Sequence, residues 1–150
     1  MKPTYNVAQL VPHSDKMSLL NRILDYGEEW LHAEVHITPD SMFAETGGIP
    51  AWIGLEYMAQ AISAHAGMLE RLNGGEPKIG FLLGSRKYLC NKDYFAPGQT
   101  LLVKVQLEML AANGLKVFSC ELKGRGVEAS AMVNVFQPDD VEKFLMDAVL

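Results

Sequence analysis

The chain has one long apolar segment, residues 49–69, flanked on both sides by short runs in which apolar and polar residues alternate. The long segment has Pro50 as its second residue and is followed, after a few more residues, by Gly74 and Gly75. Proline in the first turn and glycine after the last are typical of a helix with defined ends, so we predict one helix over Pro50 to Leu72. Its apolar residues fall on every side, and such a helix is expected to be enclosed by other structure.

The flanking runs predict an antiparallel sheet, because alternating or β-branched apolar residues bounded by turn signals are typical of strands. In the clearest run, Leu101, Val103 and Val105 face one way and the residues between them face the other. Six strands are predicted: Leu19 to Tyr26, Trp30 to Ile37, Ile79 to Leu89, Leu101 to Leu110, Lys116 to Lys123 and Val127 to Phe136. A short closing helix is predicted over Asp139 to Leu150 from its apolar stripe.

The order of two strands, one long helix and four strands indicates the fold class. It predicts an α+β fold in which an antiparallel sheet of about six strands wraps around one central helix. Among α+β folds the hot-dog architecture has this order, and we predict it as a single domain over residues 1–150. The composition, 49% apolar and 21% charged, matches one globular domain whose core needs no disulfide or structural metal.

Charge and cysteine content exclude several classes of function. A formal net charge of −5 is opposite to that needed to neutralise phosphates, so we expect no nucleic-acid partner. The apolar segment carries Glu56, Gln60 and His65, which argues against a membrane span. The amino-terminal residues lack the pattern of a signal peptide, so a cytoplasmic location is expected. Cys90 and Cys120 lack metal-ligand spacing, so we expect reduced thiols and no metal.

Glu56 is the first candidate for chemistry, because it is the only ionisable carboxylate between Pro50 and Met68. A carboxylate in apolar surroundings must be paired, hydrogen-bonded or used for proton transfer. The alternative is a surface glutamate on an incompletely buried helix.

The start of the helix is the second candidate. The first N–H groups of a helix have no partner within it and attract partial negative charge. If a thioester carbonyl pointed there, the amide of Ala51 or Trp52 would polarise it, about one turn before Glu56. Gly47 and Gly48 lead into this start, and they would otherwise serve only to turn the chain.

Catalysis by an imidazole must use one of four histidines. His32 and His36 lie on one face of a predicted strand, where a solvent-facing polar stripe is more common than a two-histidine metal site. His65 follows Glu56 by about two and a half turns, so it should not share that face, and a packed histidine is expected. His13 remains the candidate acid/base partner, against a structural role at the entry to the first strand.

The residues around Glu56 carry a resemblance to a known family. Residues 50–60, PAWIGLEYMAQ, are similar to the P-G-V-L-x-x-E-A-M-A-Q helix of the 3-hydroxyacyl-acyl carrier protein dehydratases of fatty acid synthesis. Residues 12–24 and 95–99 resemble two further segments of these proteins, P-H-R-x-P-F-L-L-V-D-R-V and V-V-P-G-D. The chain resembles most closely the dehydratase-like proteins of aryl polyene pigment gene clusters.

The resemblance implies a hot-dog dimer with a substrate tunnel along the subunit interface, where a glutamate of the central helix works with a histidine of the partner subunit. It assigns to Glu56 the role of the acid that protonates the C3 hydroxyl of a (3R)-hydroxyacyl thioester. It assigns to the Ala51 amide the role of hydrogen-bond donor to the thioester carbonyl. Trp52 and Gln60 are predicted to contact the substrate. The implied substrate is carried by acyl carrier protein or coenzyme A, and no cofactor is required.

One part of the family pattern is missing. The family's histidine lies in a G-H-F-P-G loop before the helix, whereas residues 40–48 of this chain contain no imidazole. Three functions therefore stay open: a dehydratase that uses Glu56 with His13 as base, a hot-dog acyl thioesterase, and a non-catalytic subunit that pairs with an active dehydratase. A homodimer and a heterodimer with a related hot-dog subunit stay open as well.

Overall fold

The fold is taken from a computed structural model, which describes residues 3–10, 19–41, 43–74, 81–112 and 114–136. Within these ranges the helices are α1, Val7–Leu10, and α2, Gly54–Leu72, and a 3-10 turn over Ala51–Ile53 leads into α2. The strands are β1, Arg22–Tyr26; β2, Trp30–His36; β3, Ile49–Pro50; β4, Phe81–Cys90; β5, Tyr94–Phe95; β6, Thr100–Leu110; β7, Leu115–Gly124; and β8, Val127–Phe136. The predicted closing helix over Asp139 to Leu150 lies outside the described residues.

Six of the strands form one antiparallel sheet in the order β1-β2-β6-β7-β8-β4. Helix α2 packs against β2, β6 and β7 on the inner face of this sheet. The predicted α+β class is confirmed, and so is the hot-dog arrangement of one sheet around one long helix. Because β1 and β4 are the edges, each of these two strands has a neighbour on one side only in the described sheet.

The boundaries of the elements follow the predictions closely. The helix predicted over Pro50 to Leu72 is present as the 3-10 turn and α2, and β8 has the predicted ends. Strand β1 begins at Arg22 rather than Leu19, because the Leu19 N–H donates to the Gln60 side chain instead of to a neighbouring strand.

The small sheet of β3 and β5 was not predicted from the sequence. Ile49 pairs with Phe95 and Pro50 with Tyr94, directly before the 3-10 turn. Strands of two residues carry no periodicity, so only tertiary contacts define them. Gly48 permits the close approach, since its φ is +116° and a Cβ there would lie 3.0 Å from the Phe95 carbonyl carbon.

The core lies between α2 and the inner face of the large sheet. Alternate residues of β2 and β6 point inward, and Leu31, Ala33 and Val103 are completely buried. Tyr57 and Met58 supply the facing side of α2 and are equally shielded from water. The alternation that predicted these strands is therefore the alternation that builds the core.

Helix α2 is not enclosed on every side, which corrects the prediction. Trp52 at its start is 67% exposed, and Glu56, Ala59 and Ser63 form a half-buried stripe along one face. These positions recur at helical spacing, so they share one side of the helix. Glu56 and Ser63 are polar, and the small side chain of Ala59 gains little free energy from burial, so this face does not require enclosure.

His65 fastens α2 to the turn between β1 and β2. It is 1% exposed, its Nε2 donates to the Glu28 carbonyl at 2.9 Å, and its ring meets the Phe118 ring edge-on at a centroid distance of 5.8 Å. Its Nδ1 has no hydrogen-bond partner in the described structure, so the imidazole is neutral with its proton on Nε2. The predicted packed histidine is confirmed.

The stability of the fold is expected to decline between pH 7 and pH 5 in a way that depends on His65. Burial lowers the pKa of His65 below its usual 6.5, so the unfolded chain binds a proton that the folded chain does not. This stabilisation is complete above the unfolded pKa and is lost as the pH falls towards the pKa in the folded state. Urea unfolding at each pH should show a smaller decline in His65→Gln than in the native chain.

Part of the decline should persist in His65→Gln, because partial burial and Lys104 also lower the pKa of His32. Equal declines in native and His65→Gln proteins would contradict the assignment to His65.

Candidate active site

The start of the central helix is held by β4 and by the segment that joins it to β5. The Ala51 N–H donates to the Asp93 carbonyl at 2.8 Å, and the Ala51 carbonyl accepts a hydrogen bond from the Tyr88 hydroxyl. Both backbone polar groups of Ala51 are thus engaged. The first turn of the helix is fixed against the sheet by contacts from a distant part of the chain.

Glu56 lies about one turn further along, half-buried on the face of α2 that also carries Ala59 and Ser63, here called the open face. The Gln60 Nε2 donates to Glu56 Oε1 at 3.1 Å, and the Gln60 Oε1 accepts from the Leu19 N–H at 2.8 Å. Because Gln60 is only 4% exposed, this bridge is partly buried and orients the Glu56 carboxylate. The other carboxylate oxygen has no hydrogen-bond partner among the described residues.

Four predicted site residues lie in these first turns of the helix: Ala51, Trp52, Glu56 and Gln60. Glu56 and Gln60 are joined directly, but the Ala51 amide is occupied by Asp93 rather than open to a carbonyl. The Trp52 N–H is the next along the chain. Because Trp52 lies at the start of the helical turn, no preceding helical residue supplies a carbonyl acceptor for its N–H.

None of the described histidines contacts Glu56. His32 and His36 lie on the outer, polar face of β2, where His36 Nε2 is 3.0 Å from Glu34 Oε1, and this confirms the predicted solvent-facing stripe. His13 lies outside the described residues, so its role as acid/base partner stays a prediction.

Two residues of the site, Tyr88 and Gly54, were missed by the sequence analysis. Tyr88 is 37 residues from Ala51 along the chain, so no local pattern links the two. Gly54 leaves the space that Tyr88 occupies: a Cβ there would collide with the Tyr88 hydroxyl and lie 2.7 Å from Leu122 Cδ1. The glycine inside a predicted helix is the signal that points to this contact, since it destabilises a helix by about 1 kcal/mol relative to alanine.

The tyrosines beside the site are hydrogen-bond donors over the whole physiological range of pH. Burial raises the pKa of Tyr57 to about 12. Burial, with a contribution from Cys90, raises the pKa of Tyr88 far above its usual value. Both hydroxyls therefore keep their protons near neutral pH.

Two other kinds of feature are absent from the part of the chain that the structure describes. No three side chains of the types His, Cys, Asp and Glu come together there as ligands for a metal ion. No helix in these ranges has both the length and the hydrophobicity required to cross a membrane.

A six-stranded sheet around one helix, with a carboxylate held on the first turns of that helix, defines a hot-dog protein with a candidate acid–base group on its central helix. The model of the ApeP dehydratase family matches residues 5–146. The chain therefore belongs to the ApeP-like dehydratase family, and the resemblance predicted from residues 50–60 is confirmed.

Solved structures share this fold. A chain of the dehydratase heterocomplex ApeI:P from Xenorhabdus doucetiae is 26% identical and superposes with a TM-score of 0.86 over 96% of this chain and 98% of that chain. The virulence protein Cj0977 from Campylobacter jejuni is 16% identical, with a TM-score of 0.59 over 89% of this chain and 88% of that one. The thioesterase PA1618 from Pseudomonas aeruginosa, solved as a mutant, is 11% identical, with a TM-score of 0.52 over 76% of this chain and 78% of that one.

The last two structures share the fold alone with this chain. No curated protein sequence matches it significantly.

Proposed function

We propose that this chain is a cytoplasmic subunit of a (3R)-hydroxyacyl-thioester dehydratase of polyene or fatty acid biosynthesis, and that it contributes Glu56 to a site completed by a second hot-dog subunit. The observation that carries the proposal is the half-buried Glu56 carboxylate, held on one oxygen by Gln60. A carboxylate that is oriented and still accessible is suited to proton transfer with a bound substrate.

The proposed reaction removes water from the acyl chain. A base takes a proton from C2 of the 3-hydroxyacyl thioester, the C2–C3 double bond forms and the C3–O bond breaks. Glu56 supplies the proton with which the hydroxyl leaves as water, and the product is a trans-2-enoyl thioester. Negative charge develops on the thioester oxygen as C2 loses its proton, and an N–H at the helix start stabilises it.

The proposed donor to that oxygen is the Trp52 N–H. The Ala51 N–H, which the family resemblance favours, already donates to Asp93 at 2.8 Å. The Trp52 amide belongs to the same first turn and benefits equally from the partial positive charge at the start of the helix.

Four observations support a second hot-dog subunit. Glu56 has no imidazole partner among the described residues, and the loop of residues 40–48 lacks the family's histidine. The solved chain that is 26% identical to this one comes from a dehydratase heterocomplex. The edge strand β4 contacts the helix start through Tyr88, so a partner strand added to this edge would bring the second subunit close to the site.

Acyl carrier protein is the proposed carrier of the substrate, in preference to coenzyme A. The chain is acidic overall, yet three basic residues around Tyr88 are exposed: Arg86, Lys87 and Lys92. None of the three forms an ion pair with another described residue. Unpaired cations near a site provide a local field that attracts an acidic partner.

Dehydration is expected only when this chain is combined with a hot-dog dehydratase subunit that carries the loop histidine. Each subunit alone and the two together are incubated with 3-hydroxyacyl thioesters of acyl carrier protein and of pantetheine. Formation of the enoyl thioester and release of free thiol are followed in the same samples. We expect enoyl formation to require both subunits and to be faster with the carrier protein.

His13→Ala in the mixed complex distinguishes the two possible bases. Loss of activity assigns the base to His13, whereas unchanged activity assigns it to the histidine of the second subunit. Thiol release without enoyl formation would identify a thioesterase. A second subunit that is equally active with and without this chain would contradict the proposal.

A further inference from the structure

The peptide group that joins Ala51 to Trp52 is held at its carbonyl end by a side chain from β4. The Tyr88 hydroxyl donates to the Ala51 carbonyl, which also accepts from the Gly54 N–H within the first turn. The preceding amide, Ala51 N–H, donates to Asp93. The Trp52 N–H is therefore the first amide of the helix without an acceptor in the described protein, and its peptide plane is held by Tyr88.

Local features of β4 and α2 place Tyr88 in this position. The pairing of β4 with β8 shifts register between Arg86 and Leu89, and within that shift Lys87 has a φ of +58°, a conformation that is uncommon for a residue with a side chain. Such a bulge redirects side chains at the edge of a sheet, and Tyr88 turns inward while both its neighbours are exposed. Gly54 provides the space that receives the Tyr88 hydroxyl.

We propose that Tyr88 is a positioning residue for the dehydration, acting through the Ala51–Trp52 peptide; this rests on the function proposed above. In a trans peptide the C=O and N–H point in opposite directions, so the hydroxyl that holds the Ala51 carbonyl also sets the direction of the Trp52 N–H. A hydrogen bond to the carbonyl polarises the peptide and strengthens its N–H as a donor. The Trp52 N–H is thereby prepared for the charge that develops on the thioester oxygen.

The positioning role and a simple structural contact predict different measurements. A contact that only fastens β4 to the helix would contribute stability and substrate binding. A group that aims and polarises the Trp52 amide acts on the transition state, so its loss lowers kcat with little change in KM. Because the Tyr88 hydroxyl keeps its proton near neutrality, its effect on kcat should be the same from pH 6 to pH 8.

Tyr88→Phe tests the proposal, because it removes the hydroxyl and keeps the ring. In the active complex we expect kcat to fall by about 10-fold, less than the 10²–10³-fold typical of deleting a direct donor, with KM changed by less than about twofold. Tyr94→Phe is the matched control, since Tyr94 is close by, is 43% exposed and makes no side-chain hydrogen bond to a described residue. It should leave kcat unchanged.

The carbonyl stretch of a bound thioester gives a second readout that does not depend on turnover or on the folded fraction. A trans-2-enoyl pantetheine thioester labelled with carbon-13 at C1 is bound to the complex with Glu56→Gln, and its infrared band is compared with that in solution. We expect binding to lower the frequency. The shift should become smaller with Tyr88→Phe and stay the same with Tyr94→Phe.

An unchanged carbonyl stretch with Tyr88→Phe would overturn the positioning role, even if the unfolding midpoint falls. The same holds if kcat is unchanged. Failure of the underlying function looks different, because the complex would then lack dehydration, or would keep it in Glu56→Gln, before Tyr88 is altered. That result would overturn both proposals together.

Discussion

Replacing Glu56 by glutamine is expected to lower the dehydration rate of the active complex by about 10²–10⁴-fold, the usual contribution of a general acid or base. The substitution keeps the shape of the side chain and a carbonyl oxygen that can accept from Gln60. It removes the group proposed to deliver a proton to the leaving hydroxyl. Binding of the thioester should therefore persist while turnover is lost, as shown by enoyl formation in single-turnover assays and by titration with the labelled product.

Glu70→Gln is the matched control, because it makes the same change on the same helix near its opposite end. We expect it to keep nearly full activity. Retention of more than about a hundredth of the native rate in Glu56→Gln would contradict the proposed role, since general acid–base catalysis typically supplies 10²–10⁴-fold.

Replacing Gly67 by alanine is expected to cause a large loss of stability. A Cβ at Gly67 would collide with the Leu10 carbonyl oxygen and lie 2.7 Å from its carbonyl carbon, and backbone atoms cannot move aside by changing rotamer. Releasing α1 would expose Val7 and Leu10, at about 1.5–3 kcal/mol for each side chain. The higher helix propensity of alanine offsets only about 1 kcal/mol of this loss.

The net loss should be about 2 kcal/mol or more, which corresponds to a fall in Tm of roughly 4–8 °C for a chain of this size. Thermal unfolding followed by circular dichroism measures it directly. Gly84→Ala is the control, because nothing lies within 4 Å of the added carbon, and it should stay within about 0.5 kcal/mol of the native chain. Equal Tm values for Gly67→Ala and the native protein would show that α1 does not pack as described.

The large elements could be predicted because their signals are local. Periodicity and end residues placed the central helix over Pro50 to Leu72 and gave β8 its observed ends. The two-residue strands β3 and β5 carry no period, so they could not be found in this way. The prediction that the helix is enclosed on every side was wrong. Trp52, in the 3-10 turn before α2, is large and apolar yet mostly exposed to solvent.

The candidate site was predictable to the same degree. Glu56 and Gln60 are four residues apart, and helical geometry alone brings such residues together on one face. That spacing predicts their contact without knowledge of the fold. Tyr88 and Asp93 reach the helix start from β4 and the segment after it, and no helical or strand period relates them to Ala51.

Sequence alone was sufficient to identify the class of fold, the central helix and the carboxylate on it, because each depends on residues that are neighbours in the chain. Tertiary structure alone decided which amide at the helix start is occupied and which has no acceptor among the described residues. The physical reason is that a backbone N–H takes whichever acceptor the fold brings within reach, and here the acceptor for Ala51 comes from a segment beyond the helix and the strand that follows it. The same packing placed the Tyr88 hydroxyl against the Ala51 carbonyl, which belongs to the same peptide group as the Trp52 N–H.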